Sequence, residues 1–168
     1  MSNFEVAGLG ALNIDNIHEV ERILGDGEAV VDREYMERIP SYREAELKYA
    51  GSFPGGSAAN TIYGLAKLGM STGFIGAVGD DSEGKILFQD FEKVGVDTNQ
   101  IKVKPATKTG SALCLIDKLN FRKISVSPGT ANGLLTLNDI DLDYISQADM
   151  LHLSSFVDDP QLEVLLEL

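Results

Sequence analysis

Two short polar side chains follow the first apolar segment, in the stretch Gly8-Leu-Gly-Ala-Leu-Asn-Ile-Asp15. Asn13 and Asp15 are expected at the carboxyl end of a buried parallel strand, where open α/β sheets bind their ligands. An aspartate in that position can accept hydrogen bonds from two hydroxyl groups. A turn asparagine and a solvated aspartate would give the same pattern, so both interpretations stay open.

A second candidate site is the stretch Ser52-Phe-Pro-Gly-Gly-Ser-Ala-Ala-Asn60. Gly55 and Gly56 permit backbone conformations and approach distances that other residues do not. The helix that follows would present unpaired N–H groups and the positive end of its dipole to a hydroxyl or an anion. Asn60, one turn into the helix, would add a donor and an acceptor at the same place. A plain Pro-Gly-Gly turn before a helix is the structural alternative.

Gly8-Leu-Gly also begins like the dinucleotide fingerprint G-x-G-x-x-G, but Asn13 stands where the third glycine belongs. The following residues, IDNIHEVERI, resemble a strand and provide no amphipathic helix for a pyrophosphate. A nicotinamide-binding oxidoreductase is therefore disfavoured.

Two further turns carry polar side chains. In Gly79-Asp-Asp-Ser-Glu-Gly84, Asp80 or Asp81 is expected to cap the next helix. Ser127-Pro-Gly-Thr-Ala-Asn132 is another glycine turn with an asparagine. Each turn is ambiguous on its own.

The elements that must position these residues alternate between strand and helix. An apolar strand is expected over Phe4–Asn13, and apolar spacing indicates a helix over 57–68 that ends at Gly69. The remaining predicted elements are the strand GFIGAVG, the helix SEGKILFQDFEKVG, the strands GSALCLID and FRKISVS joined by a turn at 118–120, the short helix TLNDIDLDYISQAD, the buried strand DMLHLSSF and a helix beginning in DPQLEVLLEL. This order predicts a mainly parallel sheet with helices on both faces.

A polar segment interrupts this alternation after the first strand. Gly25-Asp-Gly27 is a hairpin signal, and the charge density from Arg33 to Lys48 is typical of an exposed helix, although Pro40 interrupts it. At the other end, the apolar helical run that reaches Leu168 contains no stop signal. We therefore expect the sequence to be part of a longer protein.

The composition of the chain argues against several classes of partner and site. The 14 basic and 26 acidic residues give a net charge of -12, which disfavours nucleic acid and anionic membranes as partners. The single cysteine cannot form an intramolecular disulfide, and the N-terminus carries no basic leader, so a cytoplasmic protein is expected. The two histidines, His18 and His152, have no partners at ligand spacing, and no metal site is predicted.

Taken in order, these segments resemble the PfkB (ribokinase-like) family of carbohydrate and nucleoside kinases. The matching stretches are GLGALNID, GGSAANTIYGLAKLG, GFIGAVGDDSEGKILFQDFEKVGVDT and SPGTAN, and together they cover nearly the whole chain. The resemblance implies a ribokinase-like, Rossmann-like three-layer α/β fold with a small β lid. It implies core segments at 1–16 and 53–168, and a lid at 17–52 that closes over the sugar and often pairs with a second subunit.

The resemblance also implies roles for individual residues. Asp15 corresponds to the acceptor for sugar hydroxyls, with Asn13 beside it, while Gly55, Gly56 and Asn60 correspond to the signature that holds the sugar. The implied activity is phosphoryl transfer from ATP, with Mg²⁺, to a hydroxyl of a sugar or nucleoside. Lid closure would exclude water and so limit hydrolysis of ATP.

One departure from the family pattern is large. The family's chemistry lies in its C-terminal half, which carries an Asn-x-x-Glu motif for Mg²⁺ and phosphates and a Gly-Ala-Gly-Asp motif whose aspartate deprotonates the acceptor hydroxyl. That half has no counterpart in this sequence. No catalytic, nucleotide-binding or metal-binding residue is therefore predicted in this chain, and the chain alone is expected to be inactive. The alternative is a stand-alone sugar-binding or oligomerisation module.

The substrate is left open by the sequence. A phosphorylated sugar would require a basic residue at the pocket, and the candidates are Arg33, Arg38, Arg43 and Lys48. A solvated helix face would explain the same four residues.

Overall fold

The computed structural model describes residues 4–21, 27–30, 47–127 and 129–154, together with Val164 and Leu166. Most of the predicted helix after Pro160 and most of the predicted helix from Arg33 to Lys48 lie outside the described residues, although Val164 and Leu166 are helical. So do Gly25 and Asp26 of the predicted hairpin.

Four parallel strands form the core sheet, in the order β6-β5-β1-β9. They are β1 (Phe4–Leu9), β5 (Thr72–Gly79), β6 (Asp97–Lys104) and β9 (Ala148–Leu153). From β1 the chain adds β5 and β6 on one side and later returns to add β9 on the other. The direction in which strands are added to the sheet therefore reverses beside β1. Open α/β sheets bind their ligands at such a topological switch point.

Helices cover both faces of the core sheet, as the sequence predicted. Helices α1 (Ser57–Lys67) and α2 (Ser82–Val94) pack on one face, and their Ile62, Leu87 and Phe91 are buried against Phe74 of β5. The opposite face is covered by Ile140 and by Tyr144 of the short helix α3 (Leu142–Ser146). The predicted helix in TLNDIDLDYISQAD is shorter than expected, because a single 3₁₀ turn occupies Leu137–Asp139 and β9 already begins at Ala148.

The ends of the two long helices follow the predicted signals. Asp81 accepts a hydrogen bond from the Gly84 N–H and caps α2, while Gly95 ends that helix in the left-handed conformation, with φ 81°. Helix α1 ends just before Gly69, whose φ is 92°.

A second, mixed sheet follows the carboxyl edge of the core sheet. Its strand order is β3-β8-β7-β2-β4. It contains β2 (Asn13–Val20), β3 (Gly27–Val30), β4 (Lys48–Gly55), β7 (Gly110–Asp117) and β8 (Arg122–Ser127). Strand β2 pairs with β4 antiparallel and with β7 parallel, and β7 and β8 form an antiparallel hairpin. The division into core and a lid at 17–52 remains a prediction, and the mixed sheet also includes β7 and β8, which lie outside that range.

Two strands were not anticipated, and one prediction about burial was wrong. Strands β4 and β6 are edge strands, and glycine, proline and exposed polar positions weakened their apolar pattern. The strand in DMLHLSSF forms as β9, but it lies at the edge of the described sheet, where Met150 is 62% exposed.

Candidate substrate site

The candidate site lies where the core sheet passes into the mixed sheet. Strand β1 ends at Leu9, and Gly10, Ala11 and Leu12 carry the chain directly into β2. Asn13 and Asp15 therefore lie on β2 rather than at the end of β1, where the sequence placed them. The site remains beside the switch point of the core sheet.

Asp15 and Gly55 lie against each other on adjacent strands. Gly55 pairs with Asn13 across β2 and β4, and a Cβ atom at Gly55 would overlap the carboxylate of Asp15. The missing side chain thus makes room for that carboxylate to lie on the sheet. The sequence predicted a close approach to the backbone at Gly55, and in the structure the Asp15 carboxylate makes that approach.

Gly56 has a different structural role. Its φ is 111°, and a Cβ atom there would overlap the carbonyl oxygen of Ala11. Both features require glycine. Gly56 therefore fixes the tight passage from β4 into α1, directly beside the chain segment that joins β1 to β2.

The amino end of α1 is less open than the sequence suggested. The hydroxyl oxygen of Ser154, directly after β9, accepts a hydrogen bond from the Ala58 N–H at 3.1 Å, and the Asn60 N–H donates to the Gly56 carbonyl at 2.8 Å. These two N–H groups are therefore already bonded within the chain. The small Ala58 and Ala59 are buried, as expected for a helix pressed against a sheet.

Asn132 holds the start of β2 in place, a role that the sequence did not reveal. Its side-chain oxygen accepts from the Leu12 N–H, and its side-chain nitrogen donates to the Leu12 carbonyl and to Oδ1 of Asn13, each at 3.2 Å. Asn132 is 2% exposed, so these bonds are sheltered from water. The glycine turn that carries Asn132 was the only available signal.

Asp81 ties the mixed sheet to α2. Its carboxylate accepts from the N–H and the hydroxyl of Thr109, at 3.0 and 2.6 Å, and Thr109 directly precedes β7. Burial raises the pKa of Asp81, but the hydrogen bonds from Thr109 and Gly84 outweigh burial, and the pKa lies below its ordinary value. Asp80 accepts from the Ala106 N–H, so both aspartates organise turns.

Asn60 is exposed and lines a groove of ≈ 290 Å³ between α1, α2 and β4. Phe53, Pro54 and Tyr63 line the same groove. Phe53 is also the cross-strand partner of Asp15. The structure thus brings Asn13, Asp15 and Gly55 together. Asn60 lies in the neighbouring groove, whose lining includes Phe53 but none of those three residues.

The basic residues considered for phosphate recognition have different positions. Lys48 forms an ion pair with Glu19 at 2.8 Å, at the end of β4 remote from Gly55, and its side chain is 78% exposed. Arg33, Arg38 and Arg43 lie outside the described residues.

Among the described residues, no group of three or more histidine, cysteine, aspartate or glutamate side chains could hold a metal ion. In the same part of the chain, no helix is both long and apolar enough to span a bilayer.

The structure is an α/β protein with its candidate ligand site at a switch point of the core sheet, next to a second sheet. The model of the pfkB family of carbohydrate kinases matches residues 11–168. The chain belongs to that family, and the expected ribokinase-like α/β fold is confirmed.

Individual relatives agree with this assignment. The chain is 39% identical over 104 residues to a 5-dehydro-2-deoxygluconokinase of Geobacillus thermodenitrificans, a match that covers 61% of the chain and 31% of the relative. It is 33% identical over 121 residues to an ATP-dependent ribose-1-phosphate kinase of Halopiger xanaduensis, covering 71% of the chain and 40% of that relative. These matches therefore span less than half of each relative.

A solved structure shows the same fold. The probable sugar kinase from Rhizobium etli superposes with a TM-score of 0.85 at 24% identity, over 99% of the chain and 52% of that protein. The chain thus corresponds in fold to about half of a solved sugar kinase.

Proposed function

We propose that this chain forms the sugar-binding part of an ATP-dependent kinase, which transfers a phosphoryl group to a hydroxyl of a sugar or nucleoside. The observation that carries the proposal is the Asp15 carboxylate, held over Gly55 at the switch point of a pfkB-family core. A carboxylate in that position can accept two hydroxyl groups of one sugar and so set its orientation.

The neighbouring residues have matching roles in the proposal. Asn132 fixes Asn13, so the Asn13 amide is presented in one orientation rather than several. Gly56 keeps the chain close to Ala11, and Asn60 supplies a further donor and acceptor from the groove. The mixed sheet would act as the lid and exclude water, and it is also the surface through which we propose that two copies of the protein pair.

The chemical step requires groups outside this set. ATP supplies the phosphoryl group, and Mg²⁺ would offset the charge that develops during transfer. The described residues do not form a metal site, and the sequence lacks the Gly-Ala-Gly-Asp stretch that carries the family's base. We therefore expect the 168-residue chain alone to bind sugar without turning it over, while the complete enzyme turns it over in the cytoplasm.

The test is phosphoryl transfer from labelled ATP to a panel of sugars and nucleosides, catalysed by the natural gene product that contains this chain. We expect transfer to at least one sugar or nucleoside, and a loss of at least about a hundredfold in Asp15→Asn. Asp143→Asn, which changes an exposed aspartate of α3, is the matched control and should retain the activity. Equal rates for Asp15→Asn and the parent protein would contradict the proposal.

Two measurements on the chain itself accompany this test. An intact mass of the natural product, with the reading frame after Leu168, shows whether a Gly-Ala-Gly-Asp motif belongs to the same protein. A coupled assay for ADP release should detect no turnover by the 168-residue chain. Release that depends on Asp15 would overturn the expectation that the chain alone is inactive.

A further inference from the structure

Phe53 is a half-exposed aromatic side chain beside the candidate sugar site. Its side chain is 50% exposed, and it lies on β4, two residues before Gly55. Single exposed apolar residues are common on protein surfaces. Phe53 differs from such residues because of its neighbours.

The first neighbour is Asp15. Directly paired residues of antiparallel strands present their side chains on the same face of the sheet, so Phe53 and Asp15 share one face. Asp15 leans toward Gly55, and the Phe53 ring leans the other way, over Gly51. A Cβ atom at Gly51 would lie 2.7 Å from that ring, so glycine at this position lets the ring lie flat along the strand.

The second neighbour is the groove that contains Asn60. Phe53 and Tyr63 line it with Pro54 and Leu12, and its polar side chains are Asn60 and Asp90. Phe53 is therefore paired with Asp15 on one face of the strand pair and also lines the groove that contains Asn60. Aromatic rings offer a broad apolar face at little cost in side-chain entropy.

Sugars in ring form have chemistry that matches this arrangement. Their hydroxyl groups point outward along the ring edge, while the C–H groups on one side form an apolar patch. An open-chain polyol with the same hydroxyl groups has no such fixed patch and must lose more torsional freedom on binding.

We propose that Phe53 is a specificity-determining residue that selects sugars in ring form, by packing against the C–H face of a ring whose hydroxyl groups Asp15 accepts. This inference rests on the proposed function, because it assumes that the site binds a sugar. It adds the class of substrate, a cyclic sugar or the ring of a nucleoside, and it assigns a role to a residue that the sequence pattern did not single out.

The test compares binding of matched ring and open-chain ligands by calorimetry, using the 168-residue chain. The probes are D-ribose with ribitol, D-fructose with D-mannitol, and adenosine. We expect Phe53→Ala to weaken binding of the preferred ring sugar about tenfold and to leave the weaker binding of its polyol almost unchanged. Phe53→Tyr, which keeps the ring, should retain the preference.

Phe121→Ala is the matched control, because Phe121 is 45% exposed in the turn between β7 and β8 and should not affect binding. A second measurement uses fluorescence, since the sequence contains no tryptophan. Phe53→Trp places a single reporter at the site, and its emission should change when the ring sugar is added, whereas the emission of Phe121→Trp should not.

The two proposals fail in different ways. If the parent chain binds none of the probes, the proposed sugar site is contradicted, and the role of Phe53 with it. If the parent chain binds a ring sugar and Phe53→Ala binds it equally well, or if ring and open-chain probes bind equally, only the role of Phe53 is overturned.

Discussion

The core sheet and the mixed sheet differ in what holds them together. In the core sheet, side chains such as Phe74, Ile75 and Val78 are completely buried, and helices cover them. In the mixed sheet, four of the eight side chains of β2 are only half-buried, and the ion pairs Lys48–Glu19 and Lys118–Glu21 at its outer end are exposed to solvent. Apolar burial therefore dominates the first region, and polar contacts at the junction position the second.

This difference indicates that the core sheet mainly provides stability, whereas the mixed sheet mainly serves ligand recognition. A close-packed core has one arrangement, whereas a sheet attached through turns and side-chain hydrogen bonds can be adjusted to a ligand. Asn132 and Asp81 make these attachments, and Asp15 lies beside the first of them. Substitutions in the two regions should therefore separate loss of folding from loss of binding.

The largest effect is expected in the core, for Phe74→Ala. The Phe74 ring is fully buried, and its centroid lies 5.1 Å from that of Phe91. Removing it should lower the free energy of unfolding by about 3–5 kcal/mol, measured by urea denaturation. Phe121→Ala is the exposed control, and a loss in Phe74→Ala as small as in that control would contradict the account of the core.

The next effect is expected at the junction, for Asn132→Ala. This change leaves the buried N–H and carbonyl of Leu12 without their side-chain partner, which should cost about 2–3 kcal/mol of unfolding free energy. Sugar binding should weaken as well, because Asn13 loses its donor. Unchanged binding in a folded Asn132→Ala variant would show that Asn132 does not position the site.

A smaller effect, which depends on pH, is expected for Asp81. The pKa of Asp81 is lower in the folded protein, so its contribution is complete above the ordinary value of 3.8 and is lost as pH falls through the lower folded value. Asp139 contributes to stability over the same pH range. Burial raises its pKa, but hydrogen bonds from Lys104 and Thr136 outweigh burial, so the pKa of Asp139 also lies below its ordinary value.

Asp81→Asn tests this contribution, because asparagine still caps a helix but carries no charge. We expect a loss of about 1 kcal/mol at pH 7 and a shallower decline of stability below pH 4, measured by thermal unfolding at several pH values. A decline as steep as in the parent chain would exclude Asp81 as a source of the acid sensitivity.

The smallest effect is expected for Lys48→Met on the mixed sheet. Its ion pair with Glu19 is exposed, so the free energy of unfolding should change by less than about 0.5 kcal/mol. Sugar binding measured by calorimetry should also be unchanged, since Lys48 lies at the far end of β4 from Gly55. Weaker binding of a phosphorylated sugar alone would instead support the alternative that Lys48 serves the pocket.

The sequence predicted the core better than the mixed sheet, for a physical reason. Helices α1 and α2 and strand β5 have local apolar patterns and local caps, which a single stretch of sequence displays. In the mixed sheet, local patterns indicated the strands β7 and β8 and the turn between them. They did not indicate the pairing of β2 with β7, which is far away in the chain, or strand β4, which contains glycine and proline.

The candidate site shows the same limit. Asp15, Gly55 and Gly56 were identified from residue type and from the family resemblance, but the contact of Asp15 with Gly55 depends on strand register. Asn132, Ser154 and Phe53 approach the site only through tertiary structure. Their roles could not be assigned before the strands were placed.

The most direct test of the central claim is calorimetric titration of a ring sugar into the parent chain and into Asp15→Asn. We expect measurable binding by the parent chain and a loss of at least about tenfold in the variant, with the free energy of unfolding nearly unchanged, because Asp15 contributes to recognition more than to the core. Equal affinities for the two proteins would contradict the claim that Asp15, held over Gly55, binds the sugar.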